Sequence, residues 1–121
     1  NDSRNIAPEG WHVPTNDEWE TLVDYLGGSD VAGGKMKETG TGHWDNPNTG
    51  ATNESGFTAL AGGYRYVSGE YIEMGIRCSY WSSTAGSRLN AWYCELRSSN
   101  SNVSHTSNQT RFGFSVRCIR D

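Results

Sequence analysis

The chain has 121 residues, a formal net charge of -4 and 34% hydrophobic residues. That length suits one domain, 1–121, built around a single core. The negative balance leaves no basic footprint for nucleic acid or an anionic membrane, and no apolar run approaches the ~20 residues that span a bilayer.

Five Trp, six Tyr and three Phe supply large buried area per residue, so the core is expected to be aromatic and compact. The fifteen Gly imply many turns and close backbone approaches. The opening Asn1-Asp2-Ser3 carries no signal-peptide pattern and suits a mature or trimmed start.

The first strong local signal is Val13-Pro14-Thr15-Asn16-Asp17-Glu18-Trp19. Thr15 and Glu18 have the spacing of a capping box, in which each side chain serves the other's backbone amide. Asp17 and Glu18 suit the positive end of a helix dipole. Trp19, Leu22, Val23 and Leu26 then recur at i, i+3, i+4, i+7 on one apolar face, and Gly27-Gly28 ends the run. A helix is predicted over 16–26.

Ser29 or Asp30 can cap a second, shorter helix through about Lys37, with Val31, Ala32 and Met36 on its buried side. Gly33-Gly34 weakens it by roughly 1 kcal/mol per Gly. From 39 to 55 the chain reads as a long ordered loop around Trp44. Its Asp45, Asn46, Asn48 and Asn53 offer oxygen ligands of the kind Ca²⁺ prefers. EF-hand spacing is absent, so an Asx-rich turn network is the favoured reading, with a structural Ca²⁺ as the alternative and no other cofactor expected.

After Gly56 the pattern turns to strands: 57–61, then 64–67 and 70–74 about a Ser68-Gly69 hairpin turn, then 76–83, 91–97, 102–107 and 113–120. Two helices followed by strands, without βαβ alternation, predict an α+β domain with an antiparallel sheet.

Strand parity divides 91–97. Trp92, Cys94 and Leu96 share one face, expected to be buried; Tyr93, Glu95 and Arg97 share the other, expected to be displayed. Phe114, Val116 and Cys118 are likewise in phase and expected inside. Trp81, Trp92, Phe114 and Val116 are expected to hold the scaffold. Between Ser82 and Phe112 lie eight Ser, three Thr and four Asn, among them Arg88, Tyr93, Arg97, His105, Arg111 and Phe112. Ser, Asn and Gly with occasional Tyr and Arg is the chemistry of an adaptable binding surface.

Cys78, Cys94 and Cys118 allow at most one disulfide within the chain, in three pairings. No CxxC or Cys/His ligand spacing suggests zinc, and no GxSxG motif suggests a hydrolase nucleophile. His12, His43 and His105 are isolated in sequence. Low Lys content and the Ser/Asn/Thr-rich tail suit an extracellular setting.

Gly10-Trp11-His12-Val13-Pro14-Thr15, Glu18-Trp19, Gly34-Lys35-Met36-Lys37-Glu38-Thr39-Gly40, Asn53-Glu54-Ser55-Gly56-Phe57, Tyr80-Trp81-Ser82-Ser83-Thr84, Ala91-Trp92 and Gly113-Phe114-Ser115-Val116-Arg117-Cys118 together resemble the Fibrobacter succinogenes major paralogous domain of bacterial surface proteins and lipoproteins. That family looks related to the C-type lectin fold, in its formylglycine-generating-enzyme-like branch. The resemblance implies two helices packed on a twisted antiparallel sheet, with the termini close together. Family members commonly carry Cys where this chain has Ala7, which would pair with the final Cys; here Cys118 lacks that partner.

The segment 81–117 also resembles the variable region of retroelement-diversified proteins of gut bacteria and their phages. That resemblance implies a non-enzymatic surface module binding a protein or carbohydrate ligand through the 86–112 face, on a bacterial surface, a lipid-anchored protein or a phage virion. The candidate contact residues are Arg88, Leu89, Tyr93, Glu95, Arg97, Ser104, Thr106, Ser107, Asn108, Thr110 and Phe112, with Gly86 and Ser87 beside them. The alternatives are an invariant structural or adhesive module and, from another class, an oxidase-like enzyme.

Overall fold

The computed structural model describes residues 6–121; the Asn1-Asp2-Ser3 opening lies outside them. In chain order the elements are β1 (Trp11–His12), α1 (Asn16–Tyr25), α2 (Ala32–Met36), β2 (Tyr64–Arg65), β3 (Tyr71–Ile72), β4 (Arg77–Ala85), β5 (Asn90–Arg97), β6 (Ser104–Gln109) and β7 (Ile119–Arg120). Mixed α+β architecture is therefore as the sequence predicts. The strands form a three-stranded antiparallel sheet β4-β5-β6 and two antiparallel pairs, β1-β7 and β2-β3.

Helix α1 starts where its local chemistry says it should. The Thr15 hydroxyl accepts from the Glu18 amide at 3.2 Å, and the Glu18 carboxylate accepts from the Thr15 amide at 3.4 Å, closing the capping box. The helix buries Trp19 and Val23, with Leu26 just past its end and Leu22 packed alongside. They meet Cys78, Tyr80, Cys94 and Leu96 from one face of the large sheet, and Ala32, Met36, Trp44, Ala59, Ala61 and Val103 complete the cluster.

Helix α2 is shorter than expected. It spans five residues, and its N-cap, Val31, makes no side-chain capping bond and is exposed rather than buried. The two glycines explain why a helix forms here at all. A Cβ on Gly33 would collide with the Ser101 and Asn102 carbonyls, and one on Gly34 with the Gly50 carbonyl. The helix is pressed against backbone, and only Gly permits the approach.

The 39–55 segment is a loop, as predicted, closed over a buried Trp44 whose indole N–H donates to the Ala59 carbonyl at 2.8 Å. The Asn48 amide donates to the Glu38 and Gly40 carbonyls, and Asn53 exchanges hydrogen bonds with Thr58. Of the four candidate calcium ligands, Asn53 thus spends its side-chain oxygen on the Thr58 amide, while the buried Asn48 Oδ1 accepts no hydrogen bond; the described residues contain no group of three or more His, Cys, Asp or Glu placed to hold a metal ion.

Lys37 follows α2 and is fully buried. Its ammonium donates to the carbonyls of Thr49, Arg97 and Asn100 at 2.8, 2.9 and 2.9 Å, with the Trp44 ring centroid 5.3 Å away. One side chain therefore fastens the long loop, the end of β5 and the β5–β6 connection together.

Two predicted strands dissolve. The 57–61 stretch keeps a single bridge, Ala59 to Lys37. The 113–120 stretch has strand-like alternation but divides its backbone among three partners: Gly113 with Arg65, Ser115 with Tyr80, and Ile119–Arg120 with β1. Val116 is consequently exposed and Cys118 only half-buried, against the expectation that both lie inside. The 64–67 and 70–74 stretches do form a hairpin, trimmed to β2 and β3, with its turn at Ser68-Gly69.

Pairing of β1 with β7 brings the two ends of the domain together. His12 clasps the junction: Nδ1 lies 2.6 Å from Asp121 and Nε2 lies 2.8 Å from Glu18. Hydrogen bonding to Asp121, then to Glu18, raises the His12 pKa above its ordinary value. A raised histidine pKa means the clasp contributes in full below about pH 6.5, the unfolded value, and is lost as pH rises through the folded one. The same contact lowers Glu18, so the carboxylate's share is lost as pH falls through its own folded pKa. Melting temperatures of wild type and His12→Gln should therefore differ more at pH 6 than at pH 9. A gap that does not change with pH would show that the clasp carries no charge.

Candidate binding surface

Directly paired residues of an antiparallel sheet share a face. The register therefore sorts the predicted contact residues. Trp81, Tyr93 and Thr106 lie in one row, and Ser79, Glu95 and Ser104 in the next; Arg77 sits opposite Arg97, and Ala91 opposite Asn108. All of these lie on the face turned away from α1. Tyr80, Cys94 and His105 form a row on the helix side, together with Cys78 and Leu96, and with Trp92 opposite Ser107.

The parity assignment of faces is thus correct, but the second face is not open over β4 and β5. An aromatic layer covers it. The Phe114 ring sits 4.4 Å from Trp81 and 4.5 Å from Tyr93, centroid to centroid. Phe112 stacks on Phe114 at 5.8 Å and meets Tyr66 edge-on at 5.3 Å, and Tyr64 packs against both phenylalanines. Tyr93 is left only 7% exposed, and burial, then the nearby Glu95 charge, pushes its phenol pKa upward.

Glu95 is also covered, at 6% exposed. Its carboxylate accepts from Arg77 Nη1 at 2.6 Å and from Arg97 Nε at 2.7 Å. Arg77 also reaches Glu73 at 2.5 Å and lies over the Tyr64 ring at 4.0 Å. Tyr93 and Glu95 are therefore corrected from displayed residues to the floor of the surface. The cause is long-range: residues 112–114 and Tyr64 fold over the sheet, which alternation within β5 does not reveal. Phe114 belongs to this outer layer rather than to the helix-side core, and Trp92 is only half-buried.

The remaining candidates are accessible. Arg97, Ser104, Thr106 and Thr110 are exposed, and Ser107, Asn108 and Phe112 are half-buried. Ser107 points to the helix side, apart from its neighbours on β6. At the β4–β5 hairpin tip, Arg88 has φ +49° and Leu89 is 72% exposed. Ser87, Arg88, Leu89, Asn90, Gln109 and Arg111 line a depression of about 390 Å³.

The chain matches the Fibrobacter succinogenes major domain over residues 1–120. It belongs to that family. No curated protein and no solved structure matches it.

In this Fibrobacter succinogenes major domain all three cysteines are free thiols. Cys78 and Cys94 are buried on the helix side of the sheet, where burial pushes the Cys78 pKa up to about 12 and raises that of Cys94 as well. A thiol so placed stays protonated, the opposite of an activated nucleophile. His105, half-buried and 3.9 Å from Glu20, has its pKa lowered by burial.

Lys37 and Arg77, which hold the surface's floor in place, were not singled out by sequence reasoning. Arg77 is the first residue of β4 and carries no local signal. For Lys37 the adjacent Gly33-Gly34 was the available clue, since glycines that admit backbone also create a place for a long side chain to reach carbonyls.

Proposed function

We propose that this domain is a binding module that contacts its ligand through the hairpin tip, β6 and the loop that follows, with the C-type-lectin-like fold as its scaffold. The observation that carries the reading is the division between display and support. Arg88, Leu89, Arg97, Ser104, Thr106 and Thr110 are exposed, while directly beneath or beside them Tyr93, Glu95 and Leu96 are buried. Side chains can be exchanged on such a surface without loss of the fold, and a rigid base lowers the ordering cost of binding. This supports the reading of the 86–112 face as retroelement-diversified and set on a bacterial or virion surface. The protonated, buried thiols of Cys78 and Cys94 favour binding over oxidase chemistry.

The reading has a sharp test in natural copies of the locus. Substitutions should concentrate at Arg88, Leu89, Arg97, Ser104, Thr106 and Thr110 and spare Tyr93, Glu95 and Leu96. Purified variants altered at all six exposed positions should stay folded with melting temperatures within about 10 °C of wild type, as exposed substitutions usually change stability by under about 0.5 kcal/mol each. Variation spread evenly across the chain, or unfolding of the six-site variants, would sink the reading.

A further inference from the structure

The charge of this acidic protein is segregated along the chain. Between Ser82 and Arg120 there are five arginines, Arg88, Arg97, Arg111, Arg117 and Arg120, and one acidic residue, Glu95. The net charge there is +4, while the rest of the chain, with five basic and thirteen acidic residues, carries -8. Glu95 is buried and already shared by two arginines. The accessible part of this region is therefore basic.

Two of those arginines converge. Arg88 and Arg111 both line the depression at the β4–β5 hairpin tip, and neither has a carboxylate partner among the described residues. Ser87, Asn90 and Gln109 add a hydroxyl and two amides, and Leu89 adds one apolar side chain. The chain holds Arg88 at positive φ, and the tip is closed by backbone bonds from Gly86 to Asn90, from Asn90 to Ser87 and from Thr110 to Leu89.

The geometry points to a carboxylated saccharide as the ligand of this depression, an inference that rests on the binding-module reading above. Guanidinium groups recognise carboxylates through paired, charge-assisted hydrogen bonds. Amide and hydroxyl side chains match sugar hydroxyls, and Leu89 suits the C–H face of a ring. The volume lies in the range of small-ligand pockets, roughly 300–1,000 Å³. A protein partner would draw on aromatic anchors over about 800 Å² per side, and none of the residues lining the depression is aromatic.

Calorimetry against polygalacturonate, alginate and hyaluronate, each beside its methyl ester, tests the inference. The acids should bind and the esters should not. Arg111→Gln and Arg88→Asn (Asn tolerates the left-handed backbone) should each weaken binding about tenfold or more, while Arg120→Gln, on β7, should leave it unchanged. Failure of all three acids to bind overturns the inference, as does equal weakening by Arg120→Gln or equal binding of a DNA oligonucleotide, either of which marks bulk polyanion attraction. Esters that bind as well as the acids, and are lost in Thr106→Lys, would overturn the carboxylate inference yet leave the binding surface standing. Polymer binding untouched by any variant would remove both.

Discussion

Replacing Lys37 by Met is expected to destabilise the domain by about 3 kcal/mol, lowering its melting temperature by on the order of 10 °C. Met matches the aliphatic length of Lys and keeps the packing against Trp44, so the loss isolates the ammonium. Three carbonyls, those of Thr49, Arg97 and Asn100, would lose their shared donor. Such groups cost about 1–3 kcal/mol each when left unpaired, less what relaxation and water recover. Total stabilities of about 5–15 kcal/mol make this a large share of the whole. Urea unfolding of the two proteins measures it directly. A change below about 0.5 kcal/mol would show that the carbonyls find other partners.

The same pair of proteins carries a pH signature. Burial lowers the Lys37 pKa to about 8, with the Cys78 site opposing the shift slightly; in the unfolded chain it is near 10.4. Between those values the unfolded state binds more protons, so the stability contributed by Lys37 rises with pH. The deficit of Lys37→Met should therefore widen by about 1–2 kcal/mol between pH 7 and pH 9.5. Titration of Cys78, Tyr80 and Tyr93 is common to both proteins and largely cancels in the difference. A deficit that narrows with pH would mean that the three carbonyls, which only the ammonium can satisfy with three N–H donors, outweigh burial in setting the pKa.

What the sequence made legible follows the range of the forces involved. Helix α1 could be read in full because a capping box and an i, i+3, i+4, i+7 face are complete within about a dozen residues. The division of β5 into two faces could also be read, since alternation is a property of the strand itself. Whether a face is open is not such a property. Tyr93 and Glu95 are covered because Phe112, Phe114, Tyr64 and Arg77 arrive from distant parts of the chain. The two-residue strands β1 and β7 have no period to detect, and 113–120 alternates like a strand while its hydrogen bonds go to three separate partners. Of the predicted contact residues, those on β6 and at the hairpin tip remained accessible because nothing later in the chain returns over them.

That distinction sets up the second large effect, at Glu95. Had it been displayed, as alternation alone suggests, Glu95→Gln would be worth little: exposed ion pairs contribute about 0–1 kcal/mol. Buried between Arg77 and Arg97, it should instead cost about 3 kcal/mol or more, the price of leaving a buried charge partly unpaired. Arg77 is the partner that decides this, being itself largely buried at 13% side-chain exposure, whereas Arg97 is 44% exposed and can turn to water. Arg97→Ala should accordingly cost under about 1 kcal/mol. The Arg77→Met and Glu95→Gln changes should be strongly non-additive in a double-mutant cycle, with the double variant less damaged than the sum. Additive losses would show that the two side chains act independently and that the aromatic layer alone keeps the surface rigid. Coupling would place the rigidity of the exposed arginine at 97 in a buried carboxylate that the ligand never touches, so that Glu95 is retained while the residues around it are free to change.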